Sequence, residues 1–172
     1  CVIMGFDKDK KVMDEAIELG AIDKRFDFED CDIIVSCLYP EATVGFIRDN
    51  AHRISKNTIV ADCGGVKKTV CDNIYPITKE FGFTFIGMHP MAGIEKFGFS
   101  NSFADLFQGA SLIITPYDDT PSEKVDFLSS AFLKIGFGSI KISTPDEHDR
   151  VIAYTSQLAH VLSASYIKSP MA

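Results

Sequence analysis

A single imidazole held between glycines is where side-chain type and spacing first suggest chemistry. His89 stands in Gly87-Met88-His89-Pro90-Met91-Ala92-Gly93, directly after the apolar run Phe83-Thr84-Phe85-Ile86. Near neutral pH an imidazole both takes and gives a proton, so a histidine fixed by proline at a strand end suits general acid–base work. A turn holding a hydrogen-bonded histidine gives the same local pattern. A second polar pair lies downstream. Ser156 and His160 are four residues apart on an otherwise apolar helix, and Asp149 and Ile152 continue their stripe. The stripe reads either as a pocket lining or as a helix–helix hydrogen bond, because buried polar groups need partners. His148 and Asp149 lie in the first turn of that helix, where an acid suits the helix dipole. His52 lies among charges near a helix end and reads as solvated.

Three more strand ends carry candidate ligand contacts. Asp7 closes the opening apolar run. In a dinucleotide-binding unit an acid there bonds the adenosine ribose hydroxyls and selects NAD over its phosphorylated relative. The other reading of Asp7 is a helix N-cap. Ser36-Cys37-Leu38-Tyr39-Pro40 leaves the sheet where the nicotinamide half would run, which makes Ser36, Leu38 and Pro40 candidates. Asp62-Cys63-Gly64-Gly65-Val66-Lys67 is a strand-to-helix turn whose glycines let backbone N–H groups approach a ligand. Asp62 and Gly64 join the cofactor set. Lys67 and Lys68 read as surface lysines at a helix start or, less favoured, as local positive charge for a ligand.

The elements that must position these groups alternate. Apolar runs predict strands over 1–7, 32–38, 58–61, 83–87, 111–115 and 139–142. Helical spacing covers 9–19, 41–53, 66–81 and 122–135, and 104–108 reads as a connecting turn. This alternation gives an α/β fold, a largely parallel sheet with helices on both faces. Thr144 as N-cap, Pro145 at N1 and Glu147 as the capping-box partner then start a helix that runs to Ile167 and is apolar on most sides. A helix of that kind is normally buried. The division expected is therefore 1–143 as the sheet domain and 144–172 as the start of a helical unit that packs elsewhere.

The totals bound the partners. With 172 residues, 46% hydrophobic and 24% charged, the chain suits one domain or one domain plus part of another. A net charge of −7 argues against nucleic acid or an anionic membrane as partner. No apolar stretch reaches a membrane span, and no export signal is expected. Five cysteines without a C-x-x-C pair predict free buried thiols, no zinc site and a reducing, cytoplasmic setting.

Taken together the residues resemble the prephenate and arogenate dehydrogenases of tyrosine biosynthesis. The resemblance rests on Gly5-Phe6-Asp7, the 62–67 turn, and His89-Pro90-Met91-Ala92-Gly93 with Glu95 and Gly98. It continues through Leu106-Phe107 and Ile114-Thr115-Pro116 to His148-Asp149 and Ser156-x-Leu158-x-His160. It implies a Rossmann-like NAD(P)-binding domain entered at its second strand, so the first strand, glycine loop and first helix are expected to be lacking. An all-α dimerisation domain begins at 144, and a homodimer through the C-terminal helices is implied.

The implied reaction is an oxidative decarboxylation with NAD rather than NADP. Hydride leaves the ring carbon that bears the hydroxyl, the ring carboxylate leaves as carbon dioxide, and a phenol forms. His89 would accept the hydroxyl proton. His160, Ser156 and Gly65 would border the substrate, with Glu95 at the mouth of its pocket. Gly65 departs from the family, in which many members carry a serine bonded to the catalytic histidine, so either water or a backbone carbonyl is expected to orient His89, or His89 is less well tuned. Leu158-Ala159-His160 replaces the usual Leu-Pro-His. The family arginine for the substrate carboxylate lies in the helical domain, and Arg150 is no obvious substitute. The leading expectation is conversion of prephenate to 4-hydroxyphenylpyruvate. The alternatives are arogenate dehydrogenase, a related β-hydroxyacid dehydrogenase, or a non-catalytic fragment.

Overall fold

The computed structural model describes residues 1–29, 31–94, 96 and 98–169, without the side chains of residues 156, 157, 159 and 160. No helix among the described residues is long and apolar enough to cross a membrane. The chain opens with a small parallel unit. β1 (Met4–Gly5) and β2 (Lys24–Arg25) pair across α1 (Lys10–Glu18). Asp9 caps α1, its carboxylate accepting the Lys11 N–H at 2.8 Å. The long strand expected over 1–7 shrinks to two residues, and β2 was not expected at all. Val2, Ile3 and Phe6 are exposed, because β1 has β2 as its one strand neighbour among the described residues.

The main sheet has five strands in chain order: β3 (Ile33–Ser36), β4 (Ile59–Asp62), β5 (Thr84–Pro90), β6 (Ser111–Thr115) and β7 (Ser139–Ile142). β3, β4 and β5 are parallel, β6 runs antiparallel to β5, and β7 is parallel to β6. Strand alternation sorts the apolar residues between two faces. Ile34, Val60 and Phe85 meet Val44 and Ile47 of α2 (Pro40–Asn50) and Val70 and Ile74 of α3 (Lys68–Phe81). Ile59, Ala61, Ile86, Met88, Leu112 and Ile114 meet Val125, Leu128 and Phe132 of α4 (Ser122–Ile135). Burying each such side chain contributes about 1.5–3 kcal/mol relative to leaving it in water, so both helical layers are firmly held.

β5 is shared between two neighbours. Its first half pairs with β4 up to Asp62 opposite Gly87, and its second half pairs with β6 from Gly87 opposite Thr115. Strand structure therefore runs to Pro90 and includes His89, whereas the apolar run predicted an end at Gly87. Proline fits there because its nitrogen faces the side that β4 has left. Met91 N–H donates to Ser111 of the β6 side, whereas Met88 N–H turns the other way, toward Asp62. Gly87 is required by close approach: a Cβ would stand 2.4 Å from Thr115 Oγ1 and 3.1 Å from Lys67 Cδ.

The expected single helix from 144 is divided. Thr144 caps α5 (Pro145–Ile152), accepting the Glu147 N–H at 3.2 Å as the capping box predicts. A π-helical turn, Ala153–Gln157, follows and leads into α6 (Leu158–Ile167). The wider turn shifts the helical register, so the backbone stripe of Asp149 and Ile152 does not continue straight to positions 156 and 160. Along this segment Tyr154, Val161, Leu162, Tyr166 and Ile167 are exposed. The thiols also depart from expectation: Cys71 is buried, Cys31 and Cys63 are half-buried, and Cys1 and Cys37 are exposed.

Candidate active site

Where β4 stops, the free edge of β5 needs partners for its backbone polar groups. Two charged side chains supply them. Lys67 Nζ donates to the Met88 carbonyl at 2.6 Å and to Asp62 Oδ2 at 2.5 Å. Asp62 Oδ1 accepts the Met88 N–H at 3.4 Å, and its Oδ2 also accepts the Gly64 N–H at 2.9 Å. Lys67 is 0% exposed and Asp62 is buried with it. The surface-lysine reading of Lys67 is thus overturned: α3 starts beneath the strand ends, which turns that side chain inward. No buried side-chain nitrogen or oxygen among the described residues lacks a hydrogen-bond partner.

His89 lies just beyond this knot, on the α3 side of the sheet. Its Nδ1 is 2.8 Å from Nε2 of His148, and Nδ1 of His148 is 2.7 Å from Asp149 Oδ1. The same carboxylate accepts the Lys67 N–H at 2.7 Å and the Lys68 N–H at 2.9 Å. Asp149 therefore caps the start of α3, whereas the sequence placed it as a dipole partner of its own helix. Burial alone would raise its carboxyl, but the His148 and backbone hydrogen bonds outweigh that and hold it below the usual carboxylate range.

One order of the protons in this chain leaves a free base. An ionised carboxylate only accepts, so His148 Nδ1 donates to Asp149. With a single proton on His148, its Nε2 accepts and His89 donates from Nδ1. That leaves the Nε2 lone pair of His89 unprotonated. It faces the glycine turn, where a Cβ on Gly65 would stand 3.9 Å away. Burial holds the imidazole down to about 4, with His148 and the Lys67 ammonium adding to the effect and Asp149 opposing it. His89 is thus a neutral, oriented proton acceptor at neutral pH. At Nδ1 its ring is oriented by His148, a partner the sequence did not indicate.

The remaining candidates divide by exposure. Ser36 is buried, and its hydroxyl is 2.9 Å from Thr43 Oγ1 of α2, so it ties strand to helix. Asp62 is likewise committed inward. Leu38 and Tyr39 at the end of β3, Val66 in the glycine turn and Met91 after β5 leave apolar side chains exposed along one edge. Pro40 sits half-buried at the start of α2. Asp7 is exposed beyond β1, its Oδ1 accepting the Asp9 N–H at 2.8 Å, while Asp9 rather than Asp7 is the cap of α1. Glu95 and the side chains of Ser156 and His160 lie outside the described residues. Among the described residues no cluster of three or more metal-ligating side chains occurs. Sequence reasoning missed Lys67 and the pairing of His148 with His89. For Lys67 the signal was its spacing from Asp62 across two glycines. For His148 there was none within local reach.

A family model described as prephenate dehydrogenase, nucleotide-binding domain, matches residues 1–141. The chain is 31% identical to the cyclohexadienyl dehydrogenase of Zymomonas mobilis, over 94% of this chain and 56% of that protein. Among solved structures, Synechocystis arogenate dehydrogenase matches at 26% identity and a TM-score of 0.86, over 97% of this chain and 60% of that one. Prephenate dehydrogenase from Aquifex aeolicus in complex with hydroxyphenyl propionate and NAD+ matches in fold, with a TM-score of 0.83 at 24% identity, over 95% of this chain and 58% of that one. The chain thus spans somewhat more than half the length of each of these proteins.

Proposed function

The chain belongs to the prephenate dehydrogenase family through its nucleotide-binding domain, and from that membership we propose that the protein oxidatively decarboxylates prephenate with NAD. The observation that carries the reading is the open Nε2 of His89, fixed as an acceptor by His148 and Asp149. The fit to a dinucleotide rests on the strand edge. Exposed apolar residues at the ends of β3 and β5 and in the glycine turn offer a flat ligand something to cover, and Asp7 offers a carboxylate to ribose hydroxyls. Asp7, Leu38, Pro40 and Gly64 would hold NAD, with Ser36 and Asp62 shaping that edge from within. Bound there, NAD supplies the hydride acceptor.

The chain's own residues handle the proton. His89 Nε2 accepts it from the substrate hydroxyl as the carbon loses hydride and carbon dioxide departs. His148 and Asp149 act through His89: they hold its ring, and the Asp149 charge favours the imidazolium that forms. Aromatisation supplies most of the driving force, so orientation is the main task of the protein. Gly65 leaves room beside Nε2 for the substrate. Ser156 and His160 would line the far side of the pocket, with Glu95 at its mouth. The exposed apolar residues of α6 support a homodimer in which a second copy covers them.

The test uses the full-length protein with NAD and NADP offered separately, first with prephenate and then with arogenate. Reduction of NAD with prephenate is expected, and His89→Asn should lower turnover by about two orders of magnitude or more while NAD binding stays near normal. Turnover with arogenate alone would move the substrate assignment to the amino-acid form and leave His89 in its role. Unchanged turnover in His89→Asn would overturn that role.

A further inference from the structure

Two thiols that the proton chemistry does not use meet at the same edge of the sheet. Cys37 and Cys63 take the positions immediately beyond the register pair of Ser36 and Asp62, the last on β3 and β4. The Cys63 N–H donates to the Ser36 carbonyl at 3.0 Å, so the ladder continues one step past the strands. Neighbouring strands lie about 4.7–4.9 Å apart. A disulfide needs Cα atoms about 4.4–6.8 Å apart, and the strand spacing falls inside that window. Positions one step beyond a register pair on adjacent strands send their side chains to the same face, and the two thiols are close enough to influence each other's ionisation.

The two are not equivalent. Cys37 is exposed and Cys63 half-buried. The hydrogen bond from Cys63 brings the Cys37 thiol down to about 7, against opposition from burial and the Asp62 charge. Cys63 is pushed up by the same bond and keeps its proton. Cys71 differs: it is buried, and burial raises it to about 11. An accessible thiol with thiolate character beside a second thiol is the arrangement that selective oxidation requires.

We propose that Cys37 and Cys63 form a reversible oxidation site, which hydroperoxides close into a disulfide. The Cys37 thiolate attacks one peroxide oxygen, the O–O bond breaks, and the second oxygen leaves as water or an alcohol after taking a proton. Cys37 is then a sulfenic acid. The Cys63 sulfur attacks the Cys37 sulfur, the S–O bond breaks, and a water leaves as the S–S bond forms. Two thiols are oxidised and one hydroperoxide is reduced. A dithiol reductant reverses the bond by exchange. None of these steps uses a dinucleotide.

The test treats the reduced protein with hydrogen peroxide, digests it without reductant and maps the cysteine peptides by mass. A cross-linked peptide pair containing Cys37 and Cys63 is expected, lost on treatment with dithiothreitol. Cys71→Ser should leave that cross-link in place. In Cys63→Ser the reaction should stop at Cys37 sulfenic acid, and trapping with dimedone should rise at least tenfold over the unsubstituted protein. Cross-linking through other cysteines, or over-oxidation of Cys37 without a cross-link, would overturn the proposal. So would equal dimedone trapping with and without Cys63.

Discussion

Two hydrogen-bonded triads meet at the end of β4, one closed and the other open. In the first, Lys67 joins Asp62 to the Met88 carbonyl, and the lysine is wholly buried. In the second, His89, His148 and Asp149 form a line whose far nitrogen has no hydrogen-bond partner among the described residues and faces the glycine turn. Both draw on α3: the Lys67 side chain serves the first triad and its backbone N–H serves the second. A buried charge bonded to a carboxylate and a backbone carbonyl holds strands in place and is committed inward. A ring with one nitrogen fixed and the other free has both orientation and reactivity.

The sharpest way to break this contrast is Lys67→Met. It strands the Asp62 carboxylate in the interior, and a loss of about 3–5 kcal/mol is expected in chemical denaturation. Adding Asp62→Leu to that variant should recover part of the loss. A cost below about 1 kcal/mol for the single change would mean that water reaches the knot.

Asp149→Asn tests the open triad with a smaller effect. An amide has one oxygen where Asp149 uses two, so either the Lys68 N–H or both the Lys67 N–H and His148 Nδ1–H lose their acceptor. Turnover should fall at least tenfold, equivalent to about 1.4 kcal/mol of barrier, and stability by about 1 kcal/mol, the scale of a lost helix cap. A variant that loses stability but keeps its full rate would reduce Asp149 to a cap.

A third test lies in the pH dependence of stability. Unfolded His89 titrates near 6.5 and folded His89 near 4, so between these values the unfolded chain binds the extra proton. Stability therefore rises with pH across that window. The contribution is complete above about 6.5 and is lost as the pH falls toward 4. Urea midpoints measured across the window should show this slope, and His89→Asn should remove it. Gly65→Ser sharpens the point, because a hydroxyl donating to Nε2 favours neutral imidazole and should move the lower limit further down.

Much of the scaffold was legible because its signals are local. The apolar run at 32–38 contains β3, and the run at Ser111–Thr115 and the helical spacing at Ser122–Ile135 are repeated directly in the structure. So is the capping box at Thr144. What was misread depends on partners distant in the chain. β5 outran its apolar run because β6 pairs with Gly87–Pro90, and neither glycine nor proline favours a strand on its own. Lysines are mostly exposed, so Lys67 read as surface until the strand ends above it were in view. The break at Ala153–Gln157 leaves no mark in an apolar sequence that would suit an unbroken helix equally well.

The two triads also differ in how far apart along the chain their members lie. Lys67 is 5 residues from Asp62 and 21 from Met88. His89 is 59 residues from His148, and Asp149 is 82 from the Lys67 amide it receives. Closing the longer loops costs more chain entropy, and that cost is met only after the intervening β6, α4 and β7 have found their places. The knot can assemble as soon as β4, α3 and β5 have emerged. The His89 imidazole acquires its orientation only when α5 docks, so a partly folded chain holds its histidine without aiming it.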